Sequence, residues 1–328
     1  MIIVTGGAGL IGSAVVWGLN RRGIDDILVV DHLGTSDKWK NLAPLRFRDY
    51  QEKDRFLGLL DSPSLSGEIS AIIHLGACSS TLERDATYLV ANNVEYSKRL
   101  ARFALERNIR FIYASSAATY GDGQEGFSDD DGSIGRLRPL NPYGYSKQMF
   151  DLWLLQNGYL PRVVGLKYFN VYGPNEHHKG EMRSVVHKAF QQIREQGEMT
   201  LFRSHRPDYA DGEQLRDFVY VKDAVEMTLF FLFEGRDAGG VFNIGTGTPR
   251  SWNDLGRALF AALGIPPRIR YVDMPEGIRD RYQYYTCADV SKLRRAGFSG
   301  RCHTLEEAIA DYVQSYLLAG KFLGDEKG

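Results

Sequence analysis

Cysteine is scarce in this chain. Its 328 residues hold three, Cys78, Cys287 and Cys302. They lie far apart, are odd in number and form no Cys-x-x-Cys pair. A disulfide framework and a cysteine zinc site are therefore not expected, and a reducing compartment is. Long apolar runs are missing too. No stretch approaches the roughly 20 residues that span a bilayer, so no membrane partner is expected. The opening Met1-Ile2-Ile3-Val4-Thr5-Gly6 has no basic leader, and its apolar run is too short for a signal peptide. A cytoplasmic location follows as an expectation. An excess of charge of one sign is also absent. The 40 basic and 41 acidic residues leave a formal charge of −1, which argues against a nucleic-acid partner. No internal repeat or low-complexity segment interrupts the chain.

What is present reads as an ordinary globular protein. Hydrophobic residues make up 43% and charged residues 25%, so wholesale disorder is not expected. The length suits one large α/β unit with a smaller second lobe. Short apolar runs alternate with helical patterns through the first half. Ile2-Ile3-Val4, Ile27 to Asp31, Leu45 to Arg48, Ala71 to His74, Ile109 to Ala114 and Val163 to Tyr168 read as strands. Leu10 to Arg22, Tyr88 to Arg107 and Tyr143 to Gln156 read as helices. Strands that are apolar on both faces, separated by helices, predict a parallel, doubly wound Rossmann-type sheet. After Asn170 the rhythm changes, with polar, Gly- and Pro-bearing loops at Val171–Glu181 and Arg203–Gln214. Val241 to Ile244 has the composition of a strand returning to the main sheet. A smaller α/β lobe interleaved with the first is therefore expected.

Two motifs carry chemistry. Gly6-Gly7-Ala8-Gly9-Leu10-Ile11-Gly12 joins the first strand to its helix. Such a turn lets the backbone approach a pyrophosphate and aims helix N–H groups at it. Asp31 ends the next strand, where an acidic residue can accept from an adenosine ribose. That charge favours NAD, while Lys38 and Lys53 could offset it for NADP or could be solvated surface charges. Gly76-Ala77-Cys78-Ser79 would lie at the same sheet edge. Cys78 itself reads as a small buried packing residue.

The second motif is Tyr143-Gly144-Tyr145-Ser146-Lys147 at the start of a helix. Tyr143 and Lys147 share one face. A neighbouring ammonium should draw the phenol pKa toward neutrality and make it an acid–base for a substrate hydroxyl. Ser116, at the end of the fifth strand, can orient the same oxygen. Together these residues predict hydride exchange between a hydroxyl-bearing substrate carbon and NAD(P).

In this order, the features resemble the extended short-chain dehydrogenase/reductases. Met1 to Gly9, His74 to Thr81, Asn92-Asn93, Tyr113 to Gly121, Tyr143 to Lys147, Tyr168 to Pro174 and His178-Lys179-Gly180 are similar to the heptose 6-epimerase family of nucleotide-sugar epimerases. Arg216 to Val221 and Arg281-Tyr282-Gln283 carry the likeness into the second lobe. The resemblance implies inversion at C6 of an ADP-D-glycero-D-manno-heptose, whose product feeds lipopolysaccharide core synthesis. NADP, or NAD, would be held tightly. Tyr143 and Lys179 would be the two acid–bases, with Ser116 and Lys147 assisting. The implied cofactor set is Gly6, Gly9, Leu10, Ile11, Gly12, Asp31, His32, Lys38, Lys53, Leu75, Gly76, Ala77, Cys78, Ser79, Asn92, Lys147, Val171 and Lys179. The implied substrate set is Ser116, Asn170, Glu181, Lys188, Phe202, Arg203, Ser204, His205, Arg216 and Tyr282. Arg216 suits a diphosphate, because guanidinium binds it bidentately.

Residues 1–170, with a return segment near 217–245, would hold the dinucleotide. Residues 171–216 and 246–328 would form the substrate lobe. The family further suggests a homo-oligomer.

Taken alone, Lys179 reads as a solvated loop lysine. Glu181 stands where the family usually has a small hydroxyl residue, and the loop from Arg203 to Leu215 is longer than usual. Both departures bear on the substrate. A UDP-sugar 4-epimerase shares Ser116, Tyr143 and Lys147 but needs no base at Lys179. A 4,6-dehydratase would place an Asp-Glu pair where Ala117-Ala118 stand. A non-catalytic NAD(P) sensor would commonly lack the Tyr–Lys pair. His177 and His178 are adjacent and point apart, so no metal is expected.

Overall fold

The computed structural model describes residues 1–60, 65, 68–279 and 282–325. Seven strands form one parallel sheet. Across the sheet they run Gly240–Ile244, Val164–Tyr168, Arg110–Ser116, Ala71–His74, Ile2–Thr5, Ile27–Asp31 and Asp49–Glu52. Every neighbouring pair is parallel. The period-2 alternation of strand side chains shows why both faces are apolar. Val4, Val29, Ile73 and Ile112 enter the core on one face, with the helices Leu10–Arg21 and Val221–Phe233. Ile3, Leu28, Val30, Ile72 and Phe111 enter the core on the other, with Tyr96–Glu106 and Pro142–Gln156. The sheet is doubly wound, as its apolar strands require.

Strand order reverses between Ile2–Thr5 and Ala71–His74. The chain runs outward one way through Ile27–Asp31 and the other way through Arg110–Ser116. Connections leaving these two central strands diverge and open a crevice at their C-terminal ends. The glycine turn and the Gly76–Ser79 segment both begin there.

Two helical and strand expectations need correction. The third strand is Asp49–Glu52, not Leu45 to Arg48. Leu45 is instead buried in the core. The real strand lies at the sheet edge and pairs on one side only, so it has no need of an apolar run. The helix expected from Tyr88 begins earlier, at Ala86, where the Asp85 side chain accepts from the Tyr88 N–H at 2.9 Å. It is also broken by a π-type turn, Val90–Glu95, before continuing as Tyr96–Glu106.

After Tyr168 the chain leaves the large sheet, and it returns at Gly240–Ile244 beside Val164–Tyr168. The excursion and the C-terminal part build three two-stranded pieces. Asn170–Tyr172 pairs with Phe218–Tyr220, Leu215–Arg216 with Arg250–Ser251, and Met199–Phe202 with Ile269–Val272. Val185–Gln196, Trp252–Leu263 and Leu305–Asp311 pack around them. No helix among the described residues is long and apolar enough to cross a membrane.

Candidate active site

A cleft of about 550 Å³ opens at the crevice. Its floor is the glycine turn. Gly6 has φ +67°, and a Cβ there would meet the Gly76 amide nitrogen at 2.5 Å. A side chain at Gly12 would run into the Gly6 carbonyl oxygen. The turn can therefore only be glycine at both places. The helix Leu10–Arg21 starts from Gly9 with no side-chain cap. Its first N–H groups are left for an anion at the cleft.

Asp31 stands beside this turn with only 6% of its surface exposed. One carboxylate oxygen accepts from the Ala8 N–H at 2.8 Å. The other accepts from the His32 N–H at 2.6 Å and from the Lys38 ammonium at 2.5 Å. Lys53 donates to the Asn92 side chain at 2.6 Å. Both lysines line the cleft rather than standing free on the surface. Asn93, in the same π-type turn, exchanges two 2.9 Å bonds with the backbone of Cys78 and donates to Ser146 at 3.0 Å. It thereby ties the Gly76–Ser79 segment to the helix that carries Tyr143. Cys78 is half-buried and faces the cleft, which corrects the expectation of a buried packing residue.

The Tyr–Lys helix, Pro142–Gln156, is capped by Asn141, which accepts from the Gly144 N–H at 2.8 Å. A Cβ on Gly144 would lie 2.7 Å from the Ala118 carbonyl oxygen. Glycine here lets the helix approach the serine turn closely. Lys147 is buried and donates to the Ala114 carbonyl at 2.8 Å.

The phenol does not behave as the sequence suggested. Burial holds Tyr143 above its ordinary pKa, with the nearby Ser116 hydroxyl opposing. The Lys147 ammonium is itself drawn down to about 8 by burial, against the pull of Asp151. Desolvation thus outweighs the stabilisation expected from the neighbouring charge.

Lys179 reaches the same cleft from the short turn His177–Met182. The Asn41 side chain fixes that turn. It donates to the Ala8 and Asn175 carbonyls at 2.9 Å and lies 3.2 Å from the His178 ring nitrogen. Burial lowers the Lys179 pKa, with nearby Glu176 opposing. Lys179 is therefore half-buried in the cleft, not the solvated loop lysine its local sequence suggests.

All eighteen expected cofactor residues line the cleft, and so do Ser116, Tyr143, Lys147 and Lys179. Apart from Ser116, the expected substrate residues lie outside its lining. Arg216 stacks over Tyr282 at 5.1 Å and Trp252 at 5.7 Å, and Trp252 donates to the Tyr282 hydroxyl at 2.9 Å. Lys188 folds back on the Glu181 carbonyl at 2.5 Å. Arg203 faces Asp273 at 3.6 Å, and the Ser204 and His205 amides bond Asp211 and Tyr284. Phe202 ends its strand half-buried, and Asn170 is exposed. Arg281 lies outside the described residues. Among the described residues, no group of three His, Cys, Asp or Glu could hold a metal.

Asn41, Asn93, Tyr88, Tyr96 and Met182 were not anticipated. Only Asn93 had a local signal, as the second of two adjacent asparagines. Asn41 and Tyr96 bond partners distant in sequence, and Tyr88 and Met182 line the cleft.

Residues 2–245 match the model of the NAD dependent epimerase/dehydratase family. The ADP-L-glycero-D-manno-heptose-6-epimerase of Nitratidesulfovibrio vulgaris strain DP4 is 55% identical over 97% of this chain and 98% of its own. The chain belongs to this epimerase family. It is an NAD(P)-dependent nucleotide-sugar epimerase with a Rossmann-type sheet. Among solved structures, the Helicobacter pylori ADP-L-glycero-D-manno-heptose-6-epimerase superposes with a TM-score of 0.78 at 25% identity, covering 96% of this chain and 95% of that one. The Bacillus cereus UDP-glucuronic acid 4-epimerase, in complex with UDP-glucuronic acid and NAD, gives 0.76 at 26% identity over 96% and 99%. The glycine turn, with room only for backbone, fits a nicotinamide dinucleotide.

Proposed function

We propose that this enzyme inverts C6 of the heptose in ADP-D-glycero-D-manno-heptose. One observation carries the reading: Ser116, Tyr143, Lys147 and Lys179 converge on the cleft that holds the glycine turn. A nicotinamide held by the glycine turn would supply reversible hydride acceptance at the sugar carbon. The chain's own residues handle everything else. Tyr143 removes the C6 hydroxyl proton, and Ser116 holds the same oxygen. The Lys147 ammonium favours the phenolate electrostatically. Inversion requires the ketone to turn over so that the hydride returns to the opposite face of C6 while the carbonyl oxygen takes a proton, and Lys179 is the second acid–base that gives it. Arg216, Tyr282, Asn170, Glu181, Lys188, Phe202, Arg203, Ser204 and His205 act as substrate contacts, with Arg216 on the diphosphate.

NADP is the preferred cofactor. The Asp31 charge is already answered by Lys38, and Lys53 stands on the cleft wall. A 2′-phosphate would meet a carboxylate already paired with Lys38, and the Lys53 cation, rather than a bare carboxylate. Because the cofactor is regenerated each cycle, it stays bound through purification. The protein acts as a cytoplasmic homo-oligomer. Residues 1–170 with 217–245 bind the dinucleotide, and 171–216 with 246–328 bind the sugar.

Incubation with ADP-, UDP- and GDP-sugars, followed by NMR of each stereocentre, tests the substrate. C6 inversion of the ADP-heptose alone is expected. C4 inversion of a UDP-sugar without heptose turnover would refute the assignment.

A further inference from the structure

Asp151 stands one turn beyond Lys147 on the helix Pro142–Gln156 and is fully buried. Its carboxylate takes three hydrogen bonds. The Tyr113 hydroxyl donates to one oxygen at 2.9 Å. The Ser115 hydroxyl and the Lys167 ammonium donate to the other at 2.7 and 2.8 Å. Lys167 is the register partner of Ser115 on the adjacent strand and is 1% exposed. Its ammonium also donates to the Thr119 hydroxyl at 2.7 Å, and that hydroxyl donates to the Ser116 carbonyl at 2.8 Å.

The donors to the carboxylate belong to the two strands that end at the cleft. The acceptor belongs to the helix that carries Tyr143 and Lys147. The network grips Ser116 from both sides, through Ser115 before it and Thr119 after it. A buried ion pair is seldom the most stabilising filling for its space, because desolvating both charges offsets their attraction. Its value therefore lies in what it fixes.

We propose that Asp151, held by Lys167, is a positioning residue of this active site: it pins the serine turn against the Tyr143–Lys147 helix and supplies the counter-charge for the Lys147 ammonium. The inference rests on the Ser116–Tyr143–Lys147 reading above. Lys147 needs such a counter-charge because burial pulls its pKa down to about 8, while Asp151 acts to raise it. The titratable groups around Lys147 are few. Tyr143 and Asp151 share its helix, and Cys78, which also raises it, faces it from the Gly76–Ser79 segment. His74, on the Ala71–His74 strand, is held neutral by burial and by Lys147 itself. Lys167 lies behind Asp151 and competes for the same carboxylate.

Two charge-removing variants separate positioning from simple packing. Protein labelled with 13C at lysine Cε reports the Lys147 midpoint, assigned with Lys147→Arg, and turnover is followed against pH. Asp151→Asn should lower the midpoint and the alkaline limb of kcat by about one pH unit, with kcat falling about tenfold and KM nearly unchanged. Lys167→Met should not lower the midpoint, since the carboxylate is no longer shared. An unshifted midpoint in Asp151→Asn, or an equal fall in both variants, overturns the proposal. If Asp151→Asn does not fold, Asp151→Glu carries the test. It retains the charge, so the midpoint should hold while kcat drops with the altered reach, and an unchanged kcat overturns the proposal. Tyr143→Phe runs beside them. Full turnover in Tyr143→Phe defeats the catalytic reading itself. An inactive Tyr143→Phe beside an unaffected Asp151→Asn defeats the positioning role alone.

Discussion

At the scale of single residues, the site relies on desolvation more than on opposite charges. Burial raises Tyr143 and lowers Lys147 and Lys179. A raised phenol rests protonated and ionises reluctantly, so in the proposed mechanism proton removal depends on Lys147 remaining charged. The sign follows directly. Turnover should fall as pH rises through about 8, the value to which Lys147 is drawn. A kcat that climbs steadily from pH 7.5 to 9.5 would contradict this role. Removing either acid–base should cost about 10²–10⁴-fold in kcat, the usual range for general acid–base groups. Tyr143→Phe and Lys179→Met should both show that loss, and Tyr143→Phe should still retain cofactor, as read by the absorbance of the purified protein. Heptose epimerisation undiminished in Lys179→Met would reduce the chemistry to one base.

At the scale of elements, the legible parts were those set by local chemistry. The glycine turn, the Asn141-capped helix and the apolar strands each declare themselves within a few residues. The strand Asp49–Glu52 does not, because an edge strand needs pairing on one side and no burial. Leu45 and Phe47 mimicked a strand while belonging to the core packing. The π-type turn at Val90–Glu95 is equally silent in sequence; Asn92 and Asn93 within it bond Lys53 and the Cys78 backbone, partners distant along the chain. The glycine turn gives the sharpest prediction at this scale. Gly12→Ala should abolish cofactor retention while leaving a folded sheet, because the added methyl collides with backbone that has no freedom to yield. Circular dichroism with nucleotide quantification checks it. Wild-type cofactor content in that variant would mean that the turn is not the pyrophosphate seat.

At the scale of the whole molecule, two consequences follow from how the chain crosses itself. The proposed cofactor and catalytic residues come from segments spread between Gly6 and Lys179, yet all line one cleft. Their order along the chain was readable, because each follows a strand of a doubly wound sheet. The expected substrate residues were placed by resemblance alone. Apart from Ser116, they sit beyond the cleft lining, in short paired strands, loops and, for Lys188, the helix Val185–Gln196, held by contacts such as Arg216 over Tyr282 that no local pattern announces.

Buried histidines also set the acid stability of the molecule. Burial lowers His74 to about 3 and His187 to about 4. Folded pKa values below the unfolded one mean that the unfolded chain binds protons first. Their stabilisation is then present above about pH 6.5 and lost as pH falls toward 4 and 3. At pH 5 each costs about 2 kcal/mol relative to neutral pH. Urea unfolding should show a lower midpoint at pH 5 than at pH 7.5, and equal midpoints would contradict the burial argument.

The most direct test of the whole account uses ADP-D-glycero-D-manno-heptose carrying deuterium at C6, incubated with the purified protein in ordinary water. The product should be inverted at C6 and should keep its deuterium, because the label leaves the carbon and comes back to it without meeting solvent. Inversion with deuterium exchanged for solvent hydrogen, or retention without inversion, would contradict oxidation and re-reduction at that carbon.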